Sequence, residues 1–220
     1  MIIVDVGSGD GKRCVKWLET WKECLIYAFE PDPRQFKKLE ATRMGLKVEL
    51  RNRFKIFNAA VWDSNGEVDF YMCNDDTSSS VLPFVDENIK KWKYPPGRYF
   101  FKTEKKIKVQ SMRLDSMCKR EHIEVIDFLR IDAQGCTEKI LQSVGKKGRH
   151  IKEIFLKVHV SPVTIYKNQA TRFNIEEILK KKYYFEDVHI TPYSRGQEAW
   201  IRYHSDVWKR VRNSRIYELE

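Results

Sequence analysis

The 220-residue sequence contains no uninterrupted apolar run of the roughly 18 to 20 residues that a membrane-spanning helix needs. Its N-terminus also lacks the basic segment, followed by an apolar one, that marks a secretory signal. The five cysteines are odd in number and form no C-x-x-C pair, so neither a disulfide framework nor a zinc site is indicated. From these absences we expect a cytoplasmic protein that makes no membrane contact.

No low-complexity linker and no internal repeat divides the chain, whose length suits one well-buried domain. Lysine and arginine outnumber aspartate and glutamate by 41 to 31, and the net charge of +10 favours an anionic partner without identifying it. We predict a single domain over residues 1–205 and a basic tail over residues 206–220. The apolar side chains of the tail have roughly helical spacing, which suits packing on the domain or on a second copy in a homodimer.

Short apolar runs alternate with segments of helical periodicity along most of the chain. This alternation predicts an α/β fold with a doubly wound sheet, crossover helices and an antiparallel pair at its edge. The predicted strands are 2–6, 25–29, 55–61, 125–132, 153–160, 183–190 and 198–203, and the predicted helices are 11–23, 33–44, a short one near 115, 136–144 and 174–182.

An insertion interrupts this alternation. The turn D-S-N-G leads from the third predicted strand into E-V-D-F-Y-M, in which Val68, Phe70 and Met72 alternate with polar residues, so we predict a hairpin here. Residues 74–106 are then the least regular part of the chain. Because a loop of this length in a compact domain is usually functional, we predict a lid over about residues 74–106.

The stretch D-V-G-S-G-D-G follows the first predicted strand, where ligands bind in such sheets. Its glycines, Gly7, Gly9 and Gly11, let the backbone approach a ligand that a Cβ atom would obstruct. Glu30 ends the second predicted strand, about 20 residues further on, where a carboxylate suits the two hydroxyls of a ribose. Together these features predict a nucleotide-like ligand, although the glycine spacing differs from the G-x-G-x-x-G of dinucleotide sites.

At this point the sequence resembles a known family. Residues 5–11 and Glu30 resemble the first two motifs of the class I methyltransferases that use S-adenosylmethionine. The stretches F-E-P-D-P, N-A-A-V-W-D-S-N-G-E-V-D-F-Y, S-S-S-V, M-R-L-D-S and I-D-F-L-R-I-D-A-Q-G-C-T-E-K-I-L-Q-S follow in the order found in FkbM-type methyltransferases. The resemblance covers residues 2–143 well and the last strands more loosely. It implies a Rossmann-like, seven-stranded, mostly parallel sheet in the order 3-2-1-4-5-7-6.

The resemblance also assigns residues to S-adenosylmethionine as the cofactor. It implies that Asp5, Gly7 and Gly9 lie against the methionine and ribose parts and that Glu30 holds the ribose hydroxyls. Residues implied near adenine are Asn58, Ala59 and Ala60. Tight core packing explains the two alanines equally well.

Two residues near later strand ends are candidates for the chemistry. Asp132 would contact the amino group of the donor, accept a proton from a hydroxyl, bind a divalent metal or simply cap the following helix. His159 shares a strand face with Lys157 and is either a base or a buried core histidine. Gln134 and Lys157 stand where the family usually has acids, which weakens a carboxylate-rich metal site and leaves the metal open. We predict Asp132 and His159 as catalytic residues.

The resemblance implies methylation of a hydroxyl oxygen on a sugar or glycan. Aromatic residues of the predicted lid would stack against that sugar or would only anchor their own loop. They are Trp92, Tyr94, Tyr99, Phe100 and Phe101.

Three other functions stay open. The first is 2'-O-methylation of RNA, because positive charge interleaved with aromatics is typical of single-strand binding. Asp132, Lys157 and Glu198 would fill three places of the Lys-Asp-Lys-Glu set of such enzymes, whose first lysine usually precedes strand one. The second is a donor-binding module without catalysis. An NAD-dependent oxidoreductase would share the glycine turn.

Overall fold

The centre of the fold is a seven-stranded sheet, and the computed structural model describes residues 1–90, 101–145, 150–180, 182–190 and 198–205. In chain order the elements are β1 (Ile2–Val6), α1 (Lys12–Thr20), β2 (Leu25–Phe29), α2 (Pro33–Met44), α3 (Val48–Asn52), β3 (Phe54–Phe57), β4 (Ala60–Val61), β5 (Gly66–Cys73), α4 (Asp86–Ile89), β6 (Thr103–Met112), α5 (Leu114–Arg120), β7 (Ile126–Ile131), α6 (Thr137–Ser143), β8 (Ile151–His159), α7 (Arg172–Leu179), β9 (Tyr183–Ile190) and β10 (Glu198–Ser205).

The strands of the main sheet lie in the order β3-β2-β1-β7-β8-β10-β9. Strand β10 runs antiparallel to β8 and β9, and the other neighbouring strands are parallel. When only the strands of this sheet are counted, the order is 3-2-1-4-5-7-6. The predicted α/β class, strand order and antiparallel edge are therefore confirmed.

Strand β1 is apolar almost throughout because both faces of the sheet are covered. Ile3 packs with Trp17 of α1 and Phe128 of β7 in one hydrophobic cluster, and the rings of Trp17 and Phe128 meet edge to face at 5.7 Å. Val4 and Val6 belong to a second cluster, as the alternation of side chains along a strand requires.

The prediction of one strand over residues 55–61 that continues into a hairpin is wrong. The chain leaves the main sheet after β3, and β4 belongs to a separate three-stranded sheet of order β4-β6-β5. Strand β6 lies between the other two, parallel to β4 and antiparallel to β5. The alternating face of β5 finds its apolar partners on β6, where Phe70 shares a small cluster with Val109 and Ile107. The inserted hairpin is therefore β5 with β6.

The predicted lid is described only in part. Its first half contains the short helix α4, fastened by a 2.7 Å hydrogen bond from Asn88 Nδ2 to the carbonyl of Thr164. Phe101 stacks on Phe84, which stacks in turn on Tyr166, so this aromatic anchors its own segment. The predicted lid residues Trp92, Tyr94, Tyr99 and Phe100 lie outside the described residues, as does the basic tail 206–220.

Within the described ranges, no helix has the length and apolarity required to cross a membrane.

Candidate active site

A cleft of about 550 Å³ opens where β1, β2, β3 and β7 end. The residues that directly follow β1, β2 and β7 line the cleft, as do Ala59 and Ala60 shortly after β3, and β8 adds Lys157 near its end. The segment 76–81 forms another wall. The cleft therefore lies at the carboxyl edge of the sheet, as the glycine turn and Glu30 predict.

The glycine turn joins β1 to its neighbours and leaves one side open. Gly7 has a φ of 80°, and a Cβ atom there would lie 2.0 Å from the backbone oxygen of Asp132. Gly9 has a φ of 58°, and no described atom would lie within 4 Å of a Cβ atom built on it. Gly7 thus permits the close approach of the turn to the end of β7, whereas Gly9 keeps its side of the cleft free for a ligand.

Glu30 is fixed between two backbone groups. Its Oε2 accepts a hydrogen bond of 2.8 Å from Gly9 N–H, and its Oε1 accepts one of 2.9 Å from Asp32 N–H. Burial raises the pKa of Glu30 to about 7, although both N–H groups act in the opposite direction. Near neutral pH this carboxyl group is therefore close to half ionised, at the position predicted for ribose hydroxyls.

The other residues predicted for the cofactor fall into two groups. Ala59 and Ala60 line the cleft beside Phe70, and both are nearly fully buried, so they also pack in the core. Asn58 and Asp5 are not among the lining residues. Asp5 is fully buried beneath the turn, where it accepts hydrogen bonds from Arg130 Nη1 and Cys14 Sγ.

Asp132 follows β7 and faces the cleft between two cations. Lys157 Nζ lies 2.7 Å from its Oδ1, and Arg130 Nη2 donates to its Oδ2 over 3.1 Å. Burial alone would raise the pKa of Asp132, but the charges of Lys157 and Arg130 outweigh it and hold that pKa well below its usual range. The carboxylate stays ionised at any pH at which the protein would be assayed.

Lys157 also approaches a second acid. Its Nζ lies 3.8 Å from Oε1 of Glu198, the first residue of β10. Burial favours the neutral amine, but the charges of Asp132 and Glu198 raise the pKa of Lys157 above its ordinary value. Asp132, Lys157 and Glu198 therefore form a row of alternating charge across β7, β8 and β10.

His159 does not line the cleft. It is 4% exposed and lines a smaller adjoining pocket together with Gln169, Lys157 and Glu198. Burial lowers the pKa of His159, so its imidazole is neutral at pH 7. The shared face of His159 and Lys157 is as predicted, but β8 carries the histidine beyond the wall of the cleft, and its catalytic role stays a prediction.

Gln134 has a structural role that the sequence did not reveal. Its backbone adopts a φ of 40°, its Nε2 donates to the carbonyl of Thr77 over 2.7 Å, and its own carbonyl accepts from Ser80 Oγ over 2.7 Å. Tyr166 Oη donates to the carbonyl of Ser78 over 2.8 Å. These bonds fix the segment 77–80 as a wall of the cleft.

Two arginines of the site were not predicted from the sequence. Arg13 of α1 lines the cleft, and Arg130 of β7 joins the carboxylates of Asp5 and Asp132 from a buried position. The spacing of Arg130 and Asp132 indicates a common strand face. The pairing of Arg130 with Asp5 depends on the register of β1 against β7.

The described residues offer no group of three His, Cys, Asp or Glu side chains that could hold a metal ion. Both oxygens of Asp132 face cations, an arrangement that competes with a metal for this carboxylate.

Comparisons with known proteins identify the family of this chain. The model of the methyltransferase FkbM domain matches residues 5–189. Among curated proteins, the 2-O-methyltransferase NoeI of Sinorhizobium fredii is 27% identical over 179 residues, which are 81% of this chain and 70% of the relative.

Solved structures share the fold. The methyltransferase FkbM of Methylobacillus flagellatus superposes with a TM-score of 0.57 at 11% identity, over 92% of this chain and 42% of that one. Sp1610 of Streptococcus pneumoniae gives a TM-score of 0.51 at 10% identity, over 93% of this chain and 63% of that one. The chain thus spans less than half of the first of these structures and nearly two thirds of the second.

Proposed function

Because the chain belongs to the FkbM methyltransferase domain family, we propose that it transfers a methyl group from S-adenosylmethionine to a hydroxyl oxygen of a sugar or glycan. The observation that carries the proposal is the ionised Asp132 in the wall of the cleft, near the glycine turn and held by Lys157 and Arg130. The name of the similar 2-O-methyltransferase supports a hydroxyl oxygen as the acceptor atom.

The residues of the cleft suit S-adenosylmethionine. The free side of Gly9 admits the ligand, and the two oxygens of Glu30 each retain acceptor capacity for ribose hydroxyls. Ala59, Ala60 and Phe70 supply an apolar wall for the adenine ring. When bound, this cofactor supplies an electrophilic methyl group on a sulfonium.

Asp132 is the proposed proton acceptor. Attack by a neutral hydroxyl oxygen forms the new C–O bond while the C–S pair of electrons stays on sulfur. The hydroxyl proton then becomes strongly acidic, so a carboxylate of low pKa can take it late in the step. Lys157, kept protonated by Asp132 and Glu198, keeps the Asp132 carboxylate ionised and in place beside the cleft.

Methylation of an RNA 2'-hydroxyl is the second candidate, favoured by two observations. Asp132, Lys157 and Glu198 are in contact, in the order of the last three members of the Lys-Asp-Lys-Glu set. The net charge of +10 suits a polyanionic acceptor. In both proposals the acceptor atom is a sugar hydroxyl, so the choice depends on the acceptor molecule.

Methyl-labelled S-adenosylmethionine, incubated with cell extract separated into glycan, RNA, protein and small-molecule fractions, tests these proposals. Label in glycans that is absent with Asp132→Ala supports methylation of a sugar or glycan. Label in RNA would instead support methylation of an RNA 2'-hydroxyl. Retention of label after addition of a chelator would agree with a site without metal. Binding of S-adenosylhomocysteine without label in any fraction would favour a donor-binding module, and preference for NAD would overturn both proposals.

A further inference from the structure

Arg13 lines the cleft with a guanidinium group whose Nη1 atom donates no hydrogen bond to any described group. Its Nη1 atom is buried, and within the described ranges no group accepts a hydrogen bond from it. The carboxylate nearest to it in an ion pair is that of Asp5, whose Oδ1 lies 3.9 Å away, beyond hydrogen-bond distance. The side chain as a whole is 31% exposed and lines the cleft. The guanidinium is therefore accessible from the cleft and has donor capacity to spare.

The neighbouring acids are already engaged with other groups. Asp5 accepts hydrogen bonds from Arg130 and Cys14, and Asp132 is paired with Lys157 and Arg130. A guanidinium carries its charge at all relevant pH values, and a buried N–H without an acceptor is unfavourable. These contacts favour a ligand that brings its own anionic oxygens to Arg13.

We propose that Arg13 binds the carboxylate of the methionine part of S-adenosylmethionine, an assignment that rests on the proposed function. Glu30 and the alanines of the apolar wall mark the adenosine end of the cleft, whereas Arg13 lies close enough to Asp132 to help lower the pKa of that carboxyl group. A guanidinium matches a carboxylate in geometry, because two parallel N–H groups meet two oxygens. Arg13 is thus a positioning residue that orients the methyl donor.

The test compares two ligands that differ only in this carboxylate: S-adenosylhomocysteine and its decarboxylated analogue. Calorimetry on the full chain should show that the parent protein binds S-adenosylhomocysteine about tenfold to hundredfold more tightly. Arg13→Met should abolish that preference while leaving the affinity for the decarboxylated analogue nearly unchanged. Arg13→Lys should retain part of the preference, because the charge remains and the paired N–H groups are lost.

Lys16→Met is the matched control, since it removes one positive charge from an exposed position of the same helix and should keep the full preference. Thermal unfolding checks that all three variants are folded. If Arg13→Met retains the preference, the assignment of Arg13 is overturned and the proposed function stands. If the parent protein binds neither ligand, the donor proposal itself fails.

Discussion

Lys157 Nζ lies 2.7 Å from Oδ1 of Asp132, although Lys157 belongs to β8 and Asp132 directly follows β7. Their side chains are 14% and 22% exposed, so both charges are largely removed from water. Arg130 completes the arrangement on the other oxygen of the carboxylate. Asp132 therefore keeps two buried cations in place while one side of it faces the cleft.

Asp132→Asn should reduce methyl transfer by about 100-fold or more, because it removes the proposed proton acceptor and the partner of Lys157. It should also lower the free energy of unfolding by about 2 kcal/mol, since Lys157 and Arg130 lose their common partner. The folded-state pKa of Asp132 is depressed, so its stabilising contribution is complete above about pH 4 and is lost only as the pH falls below that.

Initial rates and urea unfolding between pH 5 and 8 check this prediction. Lys157→Met is the companion variant, because it leaves the contact between Asp132 and Arg130 in place. An acidic limb in the rate profile that disappears with Asp132→Asn would contradict the low pKa. Unchanged activity of that variant would remove Asp132 from the chemistry.

Two alanine substitutions in the glycine turn should have different consequences. In Gly7→Ala the new methyl group would meet the backbone oxygen of Asp132 at 2.0 Å, at a φ of 80°, so unfolding should become easier by about 3 kcal/mol or more. In Gly9→Ala the methyl group meets no described atom, and the cost should be about 1 to 2 kcal/mol for the positive φ.

Gly9→Ala should nevertheless weaken S-adenosylhomocysteine binding about tenfold or more, because its methyl group occupies the free side of the turn. Thermal unfolding and calorimetry on the two variants measure these effects separately. A folded Gly9→Ala protein with normal affinity would show that the ligand does not approach the turn.

The alternation of short apolar runs with segments of helical periodicity was enough to predict most of the fold. Each main-sheet strand is a short apolar run, and parallel strands bring their carboxyl ends to one edge, so the glycine turn, Glu30 and Asp132 were placed correctly from local patterns. The strand that pairs with β5 could not be predicted from such local patterns. Alternation along β5 indicates a strand with one apolar face but does not say which distant strand covers it.

The same limit applies to individual side chains. A period of two puts His159 and Lys157 on one face, but it does not show where the wall of the cleft ends. In the sequence, Gln134 differs only in standing where the family usually has an acid. Its contact with Thr77 joins segments far apart in the sequence. Such contacts depend on tertiary packing, which local patterns do not contain.

Gln134→Glu tests whether this contact holds the wall of the cleft. The amide donates to the carbonyl of Thr77, whereas a carboxylate of the same shape would face that oxygen with a negative charge. We expect a loss of about 1 to 2 kcal/mol in the free energy of unfolding and a fall of about tenfold in kcat/KM from displacement of segment 77–80. Gln134→Ala, which removes the bond without adding charge, should have a smaller effect. If Gln134→Glu and Gln134→Ala had the same stability and the same kcat/KM, the amide of Gln134 would not be what holds the wall of the cleft.

Glu30 should make donor binding depend on pH. Ribose hydroxyls donate hydrogen bonds to the ionised carboxylate, so binding lowers a pKa that is about 7 in the free protein. Below pH 7 the ligand must displace a proton, and the affinity for S-adenosylhomocysteine should rise by up to about tenfold per pH unit before levelling off above pH 7. Calorimetry from pH 5.5 to 8 measures this slope, and buffers of different ionisation enthalpy report the proton released.

The matched variant is Glu30→Gln, which should bind more weakly at every pH and show no slope, because the titrating group is gone. A ligand that retains the ribose but lacks the amino acid, 5'-methylthioadenosine, should reproduce the slope of the parent protein, since the effect arises at the ribose. A slope that persists in Glu30→Gln would assign the titration to another group, such as His159, whose pKa is lowered by burial. A flat profile in the parent protein would instead mean that the protonation of Glu30 does not change when the donor binds, which would contradict a pKa of about 7 coupled to ribose binding.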